Sequence, residues 1–84
     1  MKITFKLFAM LTDYLPAQAR AGNVMELDMP VGATVGHVIE QFALPPRLVH
    51  LVLVNGIYVQ PQDRLTRVLE EGDTLAIWPP IAGG

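Results

Sequence analysis

One stretch of this chain repeats its apolar residues at full helical spacing, and that limits the fold more than any other feature. Val35, Val38, Ile39 and Phe42 recur at i, i+3, i+4 and i+7, a single stripe on a helix surface. Thr34 precedes them as a good N-cap. His37, Glu40 and Gln41 fall on the wet side. Gly36 weakens such a helix by ~1 kcal/mol relative to alanine, so packing must hold it, and Pro45-Pro46 ends it. One helix covers only one face of a small sheet. The other face is left to water or to a partner.

The rest of the chain reads mainly as strands. From Lys2 to Phe8, Ile3, Phe5 and Leu7 share one face while Lys2, Thr4 and Lys6 share the other; this is a half-buried strand. Met10, Leu11, Tyr14 and Leu15 predict a short helical turn, curtailed by Pro16, and Ala17 to Gly22 reads as a loop. A second strand runs from Asn23 to Met29, with Met25, Leu27 and Met29 facing one way. Leu51 to Val54 is a continuous apolar run, and Asn55-Gly56 is a strong hairpin signal because a type I′ turn needs φ > 0 at both central residues. Ile57 to Gln60 returns as its partner, and Pro61 suits an edge. Arg64 to Leu69 is expected to form a helical turn with Leu65, Val68 and Leu69 inward. Glu71-Gly72-Asp73 turns the chain into a last strand, Thr74 to Trp78, with Leu75 and Ile77 on one face. The order is strand, strand, helix, strand, strand, strand, an α+β pattern with a mixed sheet of about five strands.

Composition narrows the function. The 84 residues contain neither cysteine nor serine. Disulfides and thiolate metal sites are therefore excluded, along with the two commonest side-chain nucleophiles. His37 and His50 are too lightly accompanied to make a metal site. The net charge of −2 with scattered basic residues argues against nucleic-acid binding. No apolar run reaches the ~20 residues of a membrane span, and Met1-Lys2-Ile3-Thr4 opens a strand rather than a signal peptide. The cytoplasm is the default compartment. Yet 51% of residues are hydrophobic and only 17% charged, so apolar surface is expected to remain outside and meet a partner. The inventory suits a protein that is acted upon better than an autonomous enzyme.

The chain ends Pro79-Pro80-Ile81-Ala82-Gly83-Gly84. Glycine has no side chain, so the tip is narrow and conformationally free. The prolines fix φ and keep the chain extended. A frayed terminus is the plain alternative. The division expected is a body over 1–78 and a flexible tail over 79–84, threaded into another protein's active site so that chemistry happens on the Gly84 carboxylate.

Three segments carry a family resemblance across essentially the whole chain. Val54-Asn55-Gly56 resembles a mid-chain hairpin, and Gly72-Asp73-Thr74-Leu75-Ala76-Ile77 a Gly-Asp entry into a last strand. Trp78-Pro79-Pro80-Ile81-Ala82-Gly83-Gly84 resembles an aromatic-Pro-Pro-aliphatic-small-Gly-Gly ending. Together they resemble the MoaD/ThiS sulfur carriers of the ubiquitin-like β-grasp fold, nearer the molybdopterin-synthase small subunits than the thiamine-pathway carriers. Trp78 and Ile81 stand where that family commonly has phenylalanine and valine. The resemblance implies a cycle on Gly84. An E1-like adenylyltransferase joins its carboxylate to AMP from ATP, a persulfide sulfur displaces AMP, and the resulting thiocarboxylate donates sulfur to a synthase subunit. The carrier itself is expected to bind no cofactor or metal; the partner consumes the ATP.

Strand parity places Lys2, Thr4, Lys6 and Phe8 on the face without the helix, with Thr74, Ala76 and Trp78. By analogy with ubiquitin-like proteins, Val52 and Val54 point inward and Leu51 and Leu53 outward. Phe8, Leu53 and Trp78, continued by Pro79, Pro80, Ile81 and Ala82, form the expected partner surface, with Gly83 and Gly84 as the reacting end. Glu70, Glu71 and Asp73 make an acidic cluster that is usually just wet surface. A protein modifier conjugated through Gly84 needs the same tail, so it stays open as an alternative. So do a thiamine-type or specialised-metabolite carrier and a plain β-grasp interaction domain. The sulfur acceptor is not readable from the residues.

Overall fold

A computed structural model describes residues 1–80. Its strands are β1 (Lys2–Leu7), β2 (Val24–Asp28), β3 (Leu51–Val54), β4 (Ile57–Tyr58) and β5 (Thr74–Trp78), and its α-helices are α1 (Ala17–Arg20) and α2 (Val35–Gln41); 3-10 helices span Ala9–Tyr14, where a short helical turn was expected, Pro46–Leu48 and Pro61–Asp63. The five strands form one mixed sheet in the order β2-β1-β5-β3-β4. The first and last strands lie side by side in its middle and run parallel, Phe5 against Leu75 and Leu7 against Ile77. The outer pairings are antiparallel. This is the ubiquitin-like β-grasp arrangement. None of the described helices is long and apolar enough to cross a membrane.

The alternation along β1 and β5 decides the layers. Ile3, Phe5, Leu7, Leu75 and Ile77 are buried together with Val52 and Val54, and Val35 and Val38 of α2 close over them. Phe5 and Phe42 meet with ring centroids 4.8 Å apart. Burying such side chains contributes ~1.5–3 kcal/mol each before entropy is counted. At the start of α2, the His37 N–H donates to Thr34 Oγ1 and the Thr34 N–H donates to His37 Nδ1. The exposed histidine therefore completes a capping box.

The end of α2 comes before the prolines. Ala43 adopts φ +53, the Leu44 N–H donates to Ile39 O at 3.1 Å, and the Ala43 N–H donates to Glu40 O at 3.0 Å. These are the paired bonds of a Schellman motif, so Pro45-Pro46 only follows a stop already made.

Three local expectations are corrected. Residues 17–22 are not all loop, because Ala17–Arg20 makes one helical turn. The return strand is only Ile57–Tyr58. The helical turn expected over Arg64–Leu69 is shorter and begins earlier, closed by the Thr66 and Arg67 N–H groups donating to Asp63 O at 3.1 and 2.8 Å, and it does not face inward: Leu69 is buried, but Leu65 is 79% and Val68 46% exposed. The reason is the demand made by α2. Arg64 O and Arg67 O accept the Gly36 and Val35 N–H groups at 2.8 and 3.0 Å, so they are not available to carry the turn further. The absent side chain of Gly36 permits this approach, since a Cβ there would lie 2.8 Å from Leu65 Cδ2 and 3.3 Å from Arg64 O. Arg64 turns inward, giving its guanidinium to the carbonyls of Val59, Val49 and His50 at 3.2, 3.3 and 3.0 Å. Leu65 is left outside.

Candidate functional site

The face away from α2 is built by register. Across the sheet, Val24, Lys6, Ala76, Leu53 and Tyr58 stand in one row. Toward the end of β5, Leu51 pairs with Trp78. On the other side of Trp78, β1 runs one residue past its last ladder position, with the Phe8 N–H donating to Ile77 O at 3.2 Å. Phe8 thereby lies flat against Trp78, ring centroids 4.1 Å apart and planes 5° from parallel. Ala9 then takes φ +53 and turns the chain away, which leaves the pair at one end of the sheet, on two of its inner strands. Both rings are half-buried.

Trp78 is the last residue of β5, and the His50 N–H donates to its carbonyl at 3.1 Å. Pro79 is buried and Pro80 exposed, so the last described residue is at the surface, two residues beyond the stacked Trp78. Ile81, Ala82, Gly83 and Gly84 lie outside the described residues. The structure thus brings Phe8 and Trp78 into contact and places Leu53 on the same face, one row away from them, opposite Ala76 and Tyr58. Leu51 was expected on this face but not among the partner residues, and Tyr58 was expected in neither; the pairing of Leu51 with Trp78 needs a register that was not in the sequence.

The acidic cluster divides. Asp73 is buried, its carboxylate accepting from Asn55 Nδ2 and from the Glu70 N–H, both at 2.8 Å. Glu70 and Glu71 stay outside and rim an open cleft of ≈ 560 Å³ walled by Met1, Val31, Val68 and Leu69. That cleft sits where β1 begins. Because β5 runs parallel to β1, the Phe8–Trp78 pair is at the opposite end of the sheet, ~15–20 Å away by strand rise. Cleft and patch are separate surfaces. Among the described residues no three His, Asp or Glu side chains gather as metal ligands, and His37 and His50 are both exposed.

A family model described as Mut7-C ubiquitin matches residues 1–82. The curated small archaeal modifier protein 3 of Haloferax volcanii is 33% identical over 67 residues, covering 79% of this chain and 71% of that protein. Among solved structures, small archaeal modifier protein 1 of Haloferax volcanii aligns over 100% of both chains at 28% identity with a TM-score of 0.70. Two others match in fold alone. The putative molybdopterin converting factor subunit 1 of Pyrococcus furiosus has a TM-score of 0.69 and 24% identity over 96% of this chain and 99% of its own. A chain of the complex of subunits 1 and 2 of the Helicobacter pylori molybdopterin-converting factor has a TM-score of 0.60 and 14% identity over 100% of both. Sheet order, open face and sequence match agree: this chain belongs to the Mut7-C ubiquitin family, among the MoaD/ThiS-like small ubiquitin-like carriers and modifiers.

Proposed function

We propose that the protein is a sulfur carrier whose reacting group is the Gly84 carboxyl, working in the biosynthesis of a molybdenum or tungsten pterin cofactor. The observation that carries this reading is the exit of β5. The chain reaches the open face at a stacked aromatic pair immediately before the Pro-Pro-x-x-Gly-Gly run. An aromatic patch is a strong docking anchor, and a thin segment beginning beside it enters the active site of whatever docks there.

A carboxylate is a poor electrophile. In the proposed cycle a Gly84 oxygen attacks the α-phosphorus of ATP, pyrophosphate leaves, and a mixed anhydride with AMP results. A persulfide on the partner then displaces AMP to give an acyl disulfide. A second partner thiol attacks the donor-side sulfur of that disulfide, breaking the S–S bond so that the partner closes a disulfide and the thiocarboxylate leaves on Gly84. The adenylating and accepting partners supply ATP, acid–base groups and metal; this chain supplies the patch and the tail. Ordering the tail costs ~1–2 kcal/mol of backbone entropy per residue, and the φ restriction of Pro79 and Pro80 lowers that cost. The two-subunit complex of the Helicobacter fold neighbour supports a synthase subunit as the second partner.

The names of the Haloferax relatives favour one further reading, a modifier joined through Gly84 to lysines of other proteins. Intact-mass spectrometry of protein from its native cell separates the two. Exchange of one oxygen for sulfur at Gly84 is the expected result, whereas isopeptide-linked conjugates mark the modifier. If neither species occurs and removal of Gly83-Gly84 leaves the cell unimpaired, the chain is a plain interaction domain and both readings fall.

A further inference from the structure

We infer that Lys6 sets partner specificity on the open face, pairing with a carboxylate that the docked partner presents beside an apolar side chain. This rests on the carrier reading only in needing a protein partner on that face.

The chain has two lysines, and both project from β1 onto the open face. The structure separates their states. Lys2 Nζ lies 3.7 Å from Glu26 Oε1 and 3.9 Å from Asp28 Oδ2, so two acids of β2 already neighbour it in loose, solvent-exposed pairs. Lys6 has no carboxylate within ion-pairing distance among the described residues. Its neighbours across the ladder are Val24 and Ala76, which offer no side-chain acceptor. Along its own strand, on the same face, stand Thr4 and Phe8.

Lys6 is nonetheless half-buried, between Val24 and Ala76 in an otherwise uncharged row. Ala76 beside it is only 8% exposed, the short residue between the longer Lys6 and Leu53. A lysine stem in such a row covers apolar surface while its ammonium stays at the rim. Fully solvated, that charge contributes little to the free protein. Covered by a partner, it must find a carboxylate or bear its desolvation unrelieved. A partner with an apolar side chain over Ala76 and an acid facing Lys6 is therefore selected, and a partner presenting a basic residue there is rejected. Acids crowd the other end of the face, where Glu26 and Asp28 surround Lys2. Charge thus also orients the encounter, with the partner's acidic side toward the Trp78 end.

The test uses the full chain and the E1-like adenylating enzyme encoded in the same genome. Affinity and pyrophosphate release are measured at low and high salt for wild type, Lys6→Gln, Lys6→Glu and Lys2→Gln, with a thermal melt of each to confirm folding. Lys6→Glu is expected to lose about tenfold or more in affinity and kcat/KM at low salt with kcat unchanged. Lys6→Gln is expected to flatten the salt dependence, and Lys2→Gln to behave as wild type. Equal affinity and equal salt dependence for wild type and Lys6→Glu overturn the inference. If wild type binds without releasing pyrophosphate, the carrier reading falls while the affinity ratio still decides Lys6. If wild type does not bind, both fall.

Discussion

Asn55 and Asp73, eighteen residues apart, are joined by a 2.8 Å bond from Asn55 Nδ2 to Asp73 Oδ1. Asn55 Oδ1 also accepts the Thr74 N–H at 2.9 Å, and the other oxygen of Asp73 accepts the Glu70 N–H. One hairpin residue thus fastens the turn after β3 to the entry of β5. Asn55 also carries φ +53 and Gly56 φ +81, so the position needs a residue tolerant of left-handed backbone. Asn55→Ala is expected to cost about 1–3 kcal/mol, and Asn55→Gly less, because glycine relieves the backbone strain. Urea unfolding of both variants measures the difference.

Phe8 and Trp78 contribute to both stability and docking, and the two roles separate by substitution. Trp78→Ala should lower stability by about 1 kcal/mol through the lost stack, and weaken binding to the adenylating enzyme by about 2 kcal/mol or more. Trp78→Phe keeps a ring against Phe8 and should retain most of both. Calorimetric titration alongside a thermal melt checks this; binding by Trp78→Ala at wild-type strength would remove the patch from the interface.

Arg64 is buried and bonded to three backbone carbonyls, with its guanidinium carbon 6.0 Å from the Tyr58 ring centroid. Lysine has one compact ammonium and cannot reach three acceptors set in a fork. Both Arg64→Met and Arg64→Lys are expected to destabilise by about 2 kcal/mol or more, since buried carbonyls lose their donors. Denaturant midpoints at unchanged m-value are the readout; a Lys variant as stable as wild type would refute the fork argument.

Ala43 holds the left-handed conformation that ends α2. An L-residue there bears ~1–2 kcal/mol that glycine does not, while glycine loses ~0.5–1 kcal/mol more chain entropy on folding. Ala43→Gly should therefore stabilise the protein, raising the thermal midpoint by several degrees for a domain of this size. A lower midpoint would contradict the Schellman reading of the helix end.

Elements with a strong local period were legible in the residues. β1, α2, the Asn55-Gly56 turn and β5 follow from alternation, helical spacing, a cap and turn chemistry, each a preference acting over a few neighbouring residues. The inward set Ile3, Phe5, Leu7, Leu75 and Ile77 was legible for the same reason, because a sheet face repeats every second residue; the run Leu51–Val54 is apolar on both faces, so Val52 and Val54 were placed inward only through the family resemblance. The Trp-Pro-Pro-x-x-Gly-Gly segment also stood out in the sequence, being covalent and local.

Long-range pairing decided the rest. Leu65 and Val68 have the spacing of an inward turn, yet they lie outside because Arg64 and Arg67 give their carbonyls to α2, a bond that only tertiary proximity offers. Trp78 meets Phe8 because the first and last strands are neighbours. Lys2 and Lys6 look alike along the strand; the register of β2 puts Asp28 opposite one and Val24 opposite the other, and Glu26, opposite Thr4 between them, turns to Lys2. Hydrophobic period carries a residue's face but not the identity of the strand beside it, so Phe8, Leu53 and Trp78 could be drawn up for the open face from the sequence, while Val24, Tyr58 and the contacts among them could not.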